Sequence, residues 1–174
     1  MFSGGIFLHI PRTGGIGIRD TYTFPEIWHG AYAVPTSCNI VTALRNETDR
    51  YCSEWNFYGE NFFIQNKTVK GWIPDSRPKT FEEFANDSST HNSMVRILSG
   101  CQLYDNSCTL TEDTVDAILV RVKNGCIRIL NQVREIIHAN PHTCSLQHRE
   151  TSYRVNRLDR ILLQKVKSLD VQET

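Results

Sequence analysis

The stretch Ile6 to Ile18, IFLHIPRTGGIGI, constrains the fold more than any other part of the chain. A short apolar run ends at a proline, and a threonine and two glycines follow before apolar residues resume. This order predicts a buried strand that turns through Thr13, Gly14 and Gly15 into the first turn of a helix. Such a turn points backbone N–H groups and the positive end of a helix dipole at one place, and glycine permits close approach of a ligand. The pattern is typical of a phosphate-binding turn, but also of a strand-to-helix turn without a ligand, and it lacks the triphosphatase spacing GxxxxGK[ST].

A second strand-to-helix unit follows. Cys38 to Leu44 is rich in β-branched residues and predicts a buried strand, and the next residues predict a helix capped by Asn46. Between the two units, Glu26 to Ala33 has the composition of a loop or strand end. Strands alternating with helices predict an α/β fold with a parallel sheet flanked by helices, in which ligands bind beyond the carboxyl ends of the strands. The turn at Pro11 to Gly15 and Arg45 both lie at such ends.

The rest of the chain predicts mainly helices. Residues Glu60 to Lys79 have the composition of a long loop, and loops of this length are often functional. Four stretches have helical spacing, the first with a capping box at its start. They are Thr80 to Ala85, Met94 to Leu98, Asp113 to His138 and Tyr153 to Lys167, the last with a basic outer face that is either solvated or in contact with an anionic glycan.

Length and charge limit the function. A chain of 174 residues with 40% hydrophobic content predicts a single domain over residues 1–174. Nineteen basic and nineteen acidic residues cancel, so no global field favours nucleic acid or an anionic membrane, and any anion site is local. No apolar run is long enough to span a bilayer, which predicts a soluble segment. Because strand residues begin almost at once, we expect an upstream segment, such as an anchor, to be missing.

Cysteines and glycosylation motifs indicate a secretory compartment. The six cysteines include no CxxC pair, which argues against a metal site. Three glycosylation acceptor patterns begin at Asn46, Asn66 and Asn86. Cys101 and Cys108 flank a turn-rich segment and are expected to form a disulfide; the alternative is that they are reduced and buried.

Four blocks of sequence resemble the Golgi-type carbohydrate sulfotransferases, most closely the heparan sulfate 6-O-sulfotransferases. HIPRTGG resembles the family's HxPKTGG loop, and IVTALRNETDRYCSEWNF resembles its ITLLRDPVxRxLSEW segment. IWHGAYA resembles the segment that holds the catalytic histidine, and TFEEFANDSSTHNSMVRILSGC resembles a block written TLxEFxxCxxNxxNNRQVRMLA. The resemblance runs from about Ile6 to about Gly125, and the portion from about residue 126 is not covered.

The resemblance implies an enzyme that transfers sulfate from 3′-phosphoadenosine 5′-phosphosulfate (PAPS), without a metal, to a hydroxyl of a glycan. In this reading His29 is the general base, with Glu26 or Glu54 next in line, and Arg12 balances charge on the bridging oxygen. Two sets of residues would hold the two ends of PAPS. They are Pro11, Arg12, Thr13, Gly14 and Gly15 for the 5′ end, and Arg45 and Ser53 for the 3′-phosphate. A third set, Trp55, Asn92 and Arg96, would contact the acceptor.

The chain departs from the family at several of these positions. Arg12 replaces the loop lysine, and Ile16 and Gly17 replace hydroxyl residues that usually follow the glycines. Asn46 and Glu47 replace an aspartate and a proline. Because a glycan on Asn46 would crowd the 3′-phosphate, we expect that acceptor pattern to be unused.

The resulting expectation is a sulfotransferase of the Golgi lumen or secretory pathway, in the family's manner a type II membrane protein whose anchor lies outside this chain. Its partner would be a sulfated or carboxylated glycan of the heparan sulfate kind, modified for example at a 6-O position. The principal alternative is a non-catalytic module that binds the product nucleotide, 3′-phosphoadenosine 5′-phosphate (PAP), or an anionic glycan. A kinase is disfavoured because no Lys-Ser/Thr pair or magnesium carboxylate follows the turn.

Overall fold

The computed structural model describes residues 5–13, 26–28, 38–57, 80–104, 106–130 and 144–170. In these ranges, strands and helices alternate along the first part of the chain, and the later part is mainly helical. The strands are β1 (Ile6–His9), β2 (Glu26–Trp28), β3 (Ile40–Thr42) and β4 (Ile127–Ile129). The helices are α1 (Glu47–Trp55), α2 (Phe81–Asn86), α3 (Ser93–Leu98), α4 (Glu112–Lys123), α5 (Leu146–Val155) and α6 (Arg157–Asp170), with a 3₁₀ turn at Ser88–Thr90.

The four described strands form one parallel sheet in the order β2-β1-β3-β4. Phe7 lies opposite Val41, and Val41 lies opposite Arg128. The predicted α/β class with a parallel sheet is confirmed. Because β1 and β3 are parallel neighbours, the turns that follow them lie side by side. The Thr42 hydroxyl also joins the two strands by donating to the Leu8 carbonyl over 2.9 Å.

The main hydrophobic core lies between this sheet and helices α3, α4 and α6. Its fully buried members come from strands and helices alike: Leu8, Ile10, Ile40, Met94, Val95, Ile97, Leu98, Val115 and Leu162. A smaller aromatic cluster lies between α1 and α2: Tyr51, Trp55, Phe81 and Phe84. The first core fixes the strands, and the second fixes α1 against the rest of the chain.

Two predicted helix starts are confirmed by their caps. The Asn46 side chain accepts a hydrogen bond from the Asp49 backbone N–H over 3.0 Å at the start of α1. The Thr80 hydroxyl accepts one from the Glu83 backbone N–H over 3.1 Å at the start of α2. The strand predicted within Cys38 to Leu44 is present as Ile40–Thr42. Of Glu26 to Ala33, predicted as a loop or strand end, the described residues form the short strand Glu26–Trp28, and residues 29–33 lie outside the described ranges.

The helix predicted over Asp113 to His138 is wrong over residues 124–130. Helix α4 ends at Lys123, and Gly125 adopts a left-handed φ of 73°, which glycine tolerates at no steric cost. The chain then forms β4, pairs with β3 and is tied by a disulfide from Cys126 to Cys38. The apolar residues of IRIL satisfy both helical and strand spacing, and pairing with a distant strand decides between them. Residues 131–138 lie outside the described ranges.

The predicted amphipathic helix over Tyr153 to Lys167 is divided into two. Helix α5 ends at Val155, and α6 begins at Arg157. Between them Asn156 is fully buried, and its side-chain amide donates to the Ser152 carbonyl over 2.9 Å. The helical spacing of the apolar residues continues from α5 into α6, so the sequence pattern did not indicate the break at Asn156.

All six cysteines form disulfides, which supports a secretory origin. The predicted bond between Cys101 and Cys108 is confirmed. The other two are Cys38–Cys126 and Cys52–Cys144, which close long segments of chain. Within the described ranges, no helix combines the length and the hydropathy needed to cross a bilayer.

Candidate functional site

The turn after β1 is closed by its own threonine. The Thr13 hydroxyl donates to the Ile10 carbonyl over 2.8 Å, and the Thr13 backbone N–H points to the same oxygen over 3.3 Å. Thr13 is fully buried, and Arg12 takes a left-handed φ of 65°. A left-handed arginine costs about 1 kcal/mol, so other contacts must hold this conformation. Thr13 therefore shapes the turn, and its hydroxyl proton is already used.

Arg45 reaches this turn from the end of β3. Its Nη1 donates to the Arg12 carbonyl over 3.2 Å, and its Nε is buried without a hydrogen-bond partner among the described residues. Burial lowers the pKa of Arg45, Asp49 opposes this, and the positive charges of Arg12 and Arg50 lower the pKa further. Arginine stays charged despite such shifts. Arg45 is thus a partly desolvated cation with one donor that no other described residue satisfies.

Arg12 crosses from the turn to helix α1. Its Nε donates to the Ser53 hydroxyl over 2.9 Å, and its guanidinium carbon lies 4.7 Å from the centre of the Phe57 ring. Ser53 is fully buried and Phe57 is 40% exposed. The structure therefore brings Arg12, Arg45 and Ser53 together, as the sequence predicts for Arg45 and Ser53. Sequence reasoning missed Phe57, although its spacing of four from Ser53 places the two on one side of the helix end.

Next to this site lies a fully buried ion network. Arg50 pairs with Glu54 over 2.6 Å, and its Nε lies 3.9 Å from an Asp159 oxygen. The Tyr104 hydroxyl donates to the other Glu54 oxygen over 2.8 Å. Glu54 is fully buried and committed to these partners. These contacts do not support its role as a reserve general base, which stays a prediction, because a base must reach the substrate proton.

Two carboxylates share one cation in this network. Burial raises the pKa of Asp159 to about 6, and the Glu54 charge adds to the rise, while Arg50 and two backbone donors oppose it. The donors are the N–H groups of Met94 and Val95 at the start of α3. A buried network with net negative charge favours a proton on one of its acids.

The residues predicted to contact the acceptor have packing and capping roles. Trp55 is 8% exposed and lies against Phe81 and Phe84 in the aromatic cluster. The Asn92 side chain accepts from the backbone N–H groups of residues 158 and 159 and so caps α6. Arg96 is 4% exposed and donates to the Ser88 carbonyl over 3.3 Å. These contacts do not support acceptor binding, which stays a prediction for all three.

Other predicted positions fall outside the described ranges or serve the fold. Several predicted features lie outside the described residues: Gly14, Gly15, His29, the substitution at Ile16 and the loop from Glu60 to Lys79. Pro11 is buried at the end of β1. Among the described residues, no group of three histidines, cysteines or acids could hold a metal ion.

The basic outer face of the last two helices is largely neutralised. Arg157 pairs with Glu112, Lys165 pairs with Asp116, and Arg149 pairs with Asp49 over 2.8 Å. Arg160 lies over the Tyr153 ring. These pairings favour the solvated alternative for this face over contact with a glycan.

Comparison of the chain with models of protein families, with curated proteins and with solved structures finds no match.

Proposed function

We propose that this chain is a PAPS-dependent sulfotransferase domain that acts on a hydroxyl of a glycan. The observation that carries the proposal is the meeting of Arg12, Arg45 and Ser53 at the carboxyl ends of two adjacent parallel strands. Ligands of α/β sheets bind at this edge, and arginines with a hydroxyl suit a phosphate. The buried Nε of Arg45, which has no hydrogen-bond partner among the described residues, fits an anionic ligand there.

The chemistry proposed is an in-line transfer between two oxygens. When bound, PAPS supplies an activated sulfuryl group: the sulfur–oxygen bond to the 5′-phosphate breaks, a bond from sulfur to the acceptor oxygen forms, and PAP leaves. His29 would take the proton of the acceptor hydroxyl, because imidazole titrates near neutral pH. The backbone N–H groups of Gly14 and Gly15 would hold the 5′-phosphate. Thr13, predicted to join them, would shape the turn instead, because its hydroxyl and its backbone N–H both point to the Ile10 carbonyl. Arg45 and Ser53 would hold the 3′-phosphate.

The test is a transfer assay with ³⁵S-labelled PAPS and desulfated heparan sulfate. The wild-type protein should label the glycan, and His29→Ala should lower turnover by about 10² to 10⁴ while leaving the affinity for PAP nearly unchanged. Unchanged turnover in His29→Ala would reassign the base. Absence of both label transfer and PAP binding would remove the sulfotransferase proposal.

One observation favours a second candidate, a module that binds PAP without turnover. The resemblance assigns residue 12 to the leaving oxygen, but the Arg12 side chain is bonded to Ser53 at the other predicted phosphate position. Binding of PAP without label transfer to any desulfated glycan is the outcome expected for this candidate.

A further inference from the structure

Contacts at both its backbone and its guanidinium fix the direction of the Arg12 side chain. Its carbonyl accepts from Arg45, so the backbone is held in the left-handed region. Its Nε is bonded to Ser53, and its guanidinium lies over the Phe57 ring. A cation over an aromatic ring is attracted by the negative face of the ring. The side chain is therefore preorganised toward α1.

The charges around Arg12 favour binding of an anion. The guanidinium of Arg12 is close enough to that of Arg45 to lower its pKa, which means that the two cations repel each other. Asp49, the acid that opposes this effect, is also paired with Arg149. The buried Nε of Arg45 has no hydrogen-bond partner among the described residues. A dianion between the two arginines would relieve the repulsion and supply an acceptor.

We propose that Arg12 is a ligand of the 3′-phosphate, that it forms one phosphomonoester site with Arg45 and Ser53, and that Phe57 holds it there. The nucleotide part of this inference rests on the proposed function, whereas the dianion site does not. Arg12 then acts as a specificity residue: it selects nucleotides that carry a 3′-phosphate, and it does not serve the leaving oxygen. The 5′ end is left to the glycine turn.

The test compares three probes by calorimetry: adenosine 3′-monophosphate, adenosine 5′-monophosphate and inorganic phosphate. Arg12→Ala should weaken the 3′-monophosphate and inorganic phosphate about 10- to 100-fold, as expected for a lost hydrogen bond to a charged group, and leave the 5′-monophosphate within about twofold. Arg12→Lys should weaken them less, because the charge remains but the planar fork is lost. Phe57→Leu should weaken the same two probes in the same direction. Arg154→Ala, which removes an exposed arginine of α5, is the matched control and should change nothing.

The outcomes separate this inference from the proposed function. Equal weakening of the 3′- and 5′-monophosphates by Arg12→Ala would overturn the inference and return Arg12 to the leaving oxygen. Phosphate binding that Arg12→Ala leaves unchanged would also overturn it, as would a wild-type protein that binds neither phosphate nor the 3′-monophosphate. Phosphate binding that depends on Arg12, without binding of any adenine nucleotide, would support the dianion site and contradict the proposed function. If circular dichroism shows that Arg12→Ala is unfolded, Arg12→Lys decides by the same comparison.

Discussion

Replacing Asp159 by asparagine should change how stability depends on pH. Asp159 is fully buried, and its pKa rises from the usual 3.8 to about 6 because burial and the Glu54 charge disfavour its ionised form. The native state therefore binds this proton more tightly than the unfolded chain does. The stability that the proton contributes is complete below pH 3.8 and is lost as the pH rises to about 6.

The magnitude follows from that rise. A change in pKa from 3.8 to about 6 corresponds to a loss of about 3 kcal/mol across the window. Asp159→Asn cannot ionise and escapes this loss. It also removes one of the two oxygens that accept from Met94 and Val95, which adds a cost that does not depend on pH. The unfolding free energy of the variant should therefore rise by about 3 kcal/mol relative to that of the wild type between about pH 3 and about pH 7.

Urea unfolding, followed by circular dichroism with the disulfides intact, measures this difference. Ionisable groups that do not contact Asp159 are the same in both proteins, so their contributions to the pH dependence cancel in the comparison. Asp116→Asn is the matched control: its carboxylate is exposed and paired with Lys165, so its pH profile should parallel the wild type. A constant difference between Asp159→Asn and wild type at every pH, or a relative loss by the variant as pH rises, would refute the reasoning.

Two further predictions concern the fold. Replacing Cys38 and Cys126 by alanine should lower the unfolding free energy more than replacing Cys101 and Cys108. The first disulfide spans 88 residues and the second spans 7, for which chain entropy gives losses of about 4.6 and about 2.4 kcal/mol. Urea unfolding without reductant measures both, and equal costs would contradict the entropic argument. Asn92 has a left-handed φ of 52° and caps α6. Both Asn92→Ala and Asn92→Gly lose the cap, but only alanine is strained at this φ, so Asn92→Ala should lower the unfolding free energy by about 1 kcal/mol more than Asn92→Gly. Thermal denaturation compares the two, and equal melting temperatures would count against strain at this position.

Local chemistry made much of the fold predictable from the sequence. Asn46 and Thr80 cap helices because their side chains reach a backbone N–H within their own turn, and this depends on nearby residues alone. Cys101 and Cys108 are separated by 7 residues, so their pairing was also local. The end of α4 was missed because β4 exists only through its pairing with a strand more than eighty residues earlier.

The positions of candidate site residues were predictable where a sequence motif contained them. Arg45 and Ser53 meet the turn after β1, as the strand order and the helical spacing imply. The contact between Arg12 and Ser53 was not predictable, since it depends on a left-handed backbone at a non-glycine residue. The network of Arg50, Glu54 and Asp159 joins residues about a hundred positions apart, and no local pattern marks such a meeting.

Titration of PAP into the wild-type protein by calorimetry tests the central claim most directly. The account predicts saturable binding to wild type, about 10- to 100-fold weaker binding to Arg45→Ala, and unchanged binding to the exposed-arginine control Arg154→Ala. Folded wild-type protein that gives no saturable heat, or an Arg45→Ala variant with wild-type affinity, would contradict the claim that the turn after β1 and Arg45 together bind a bisphosphorylated nucleotide.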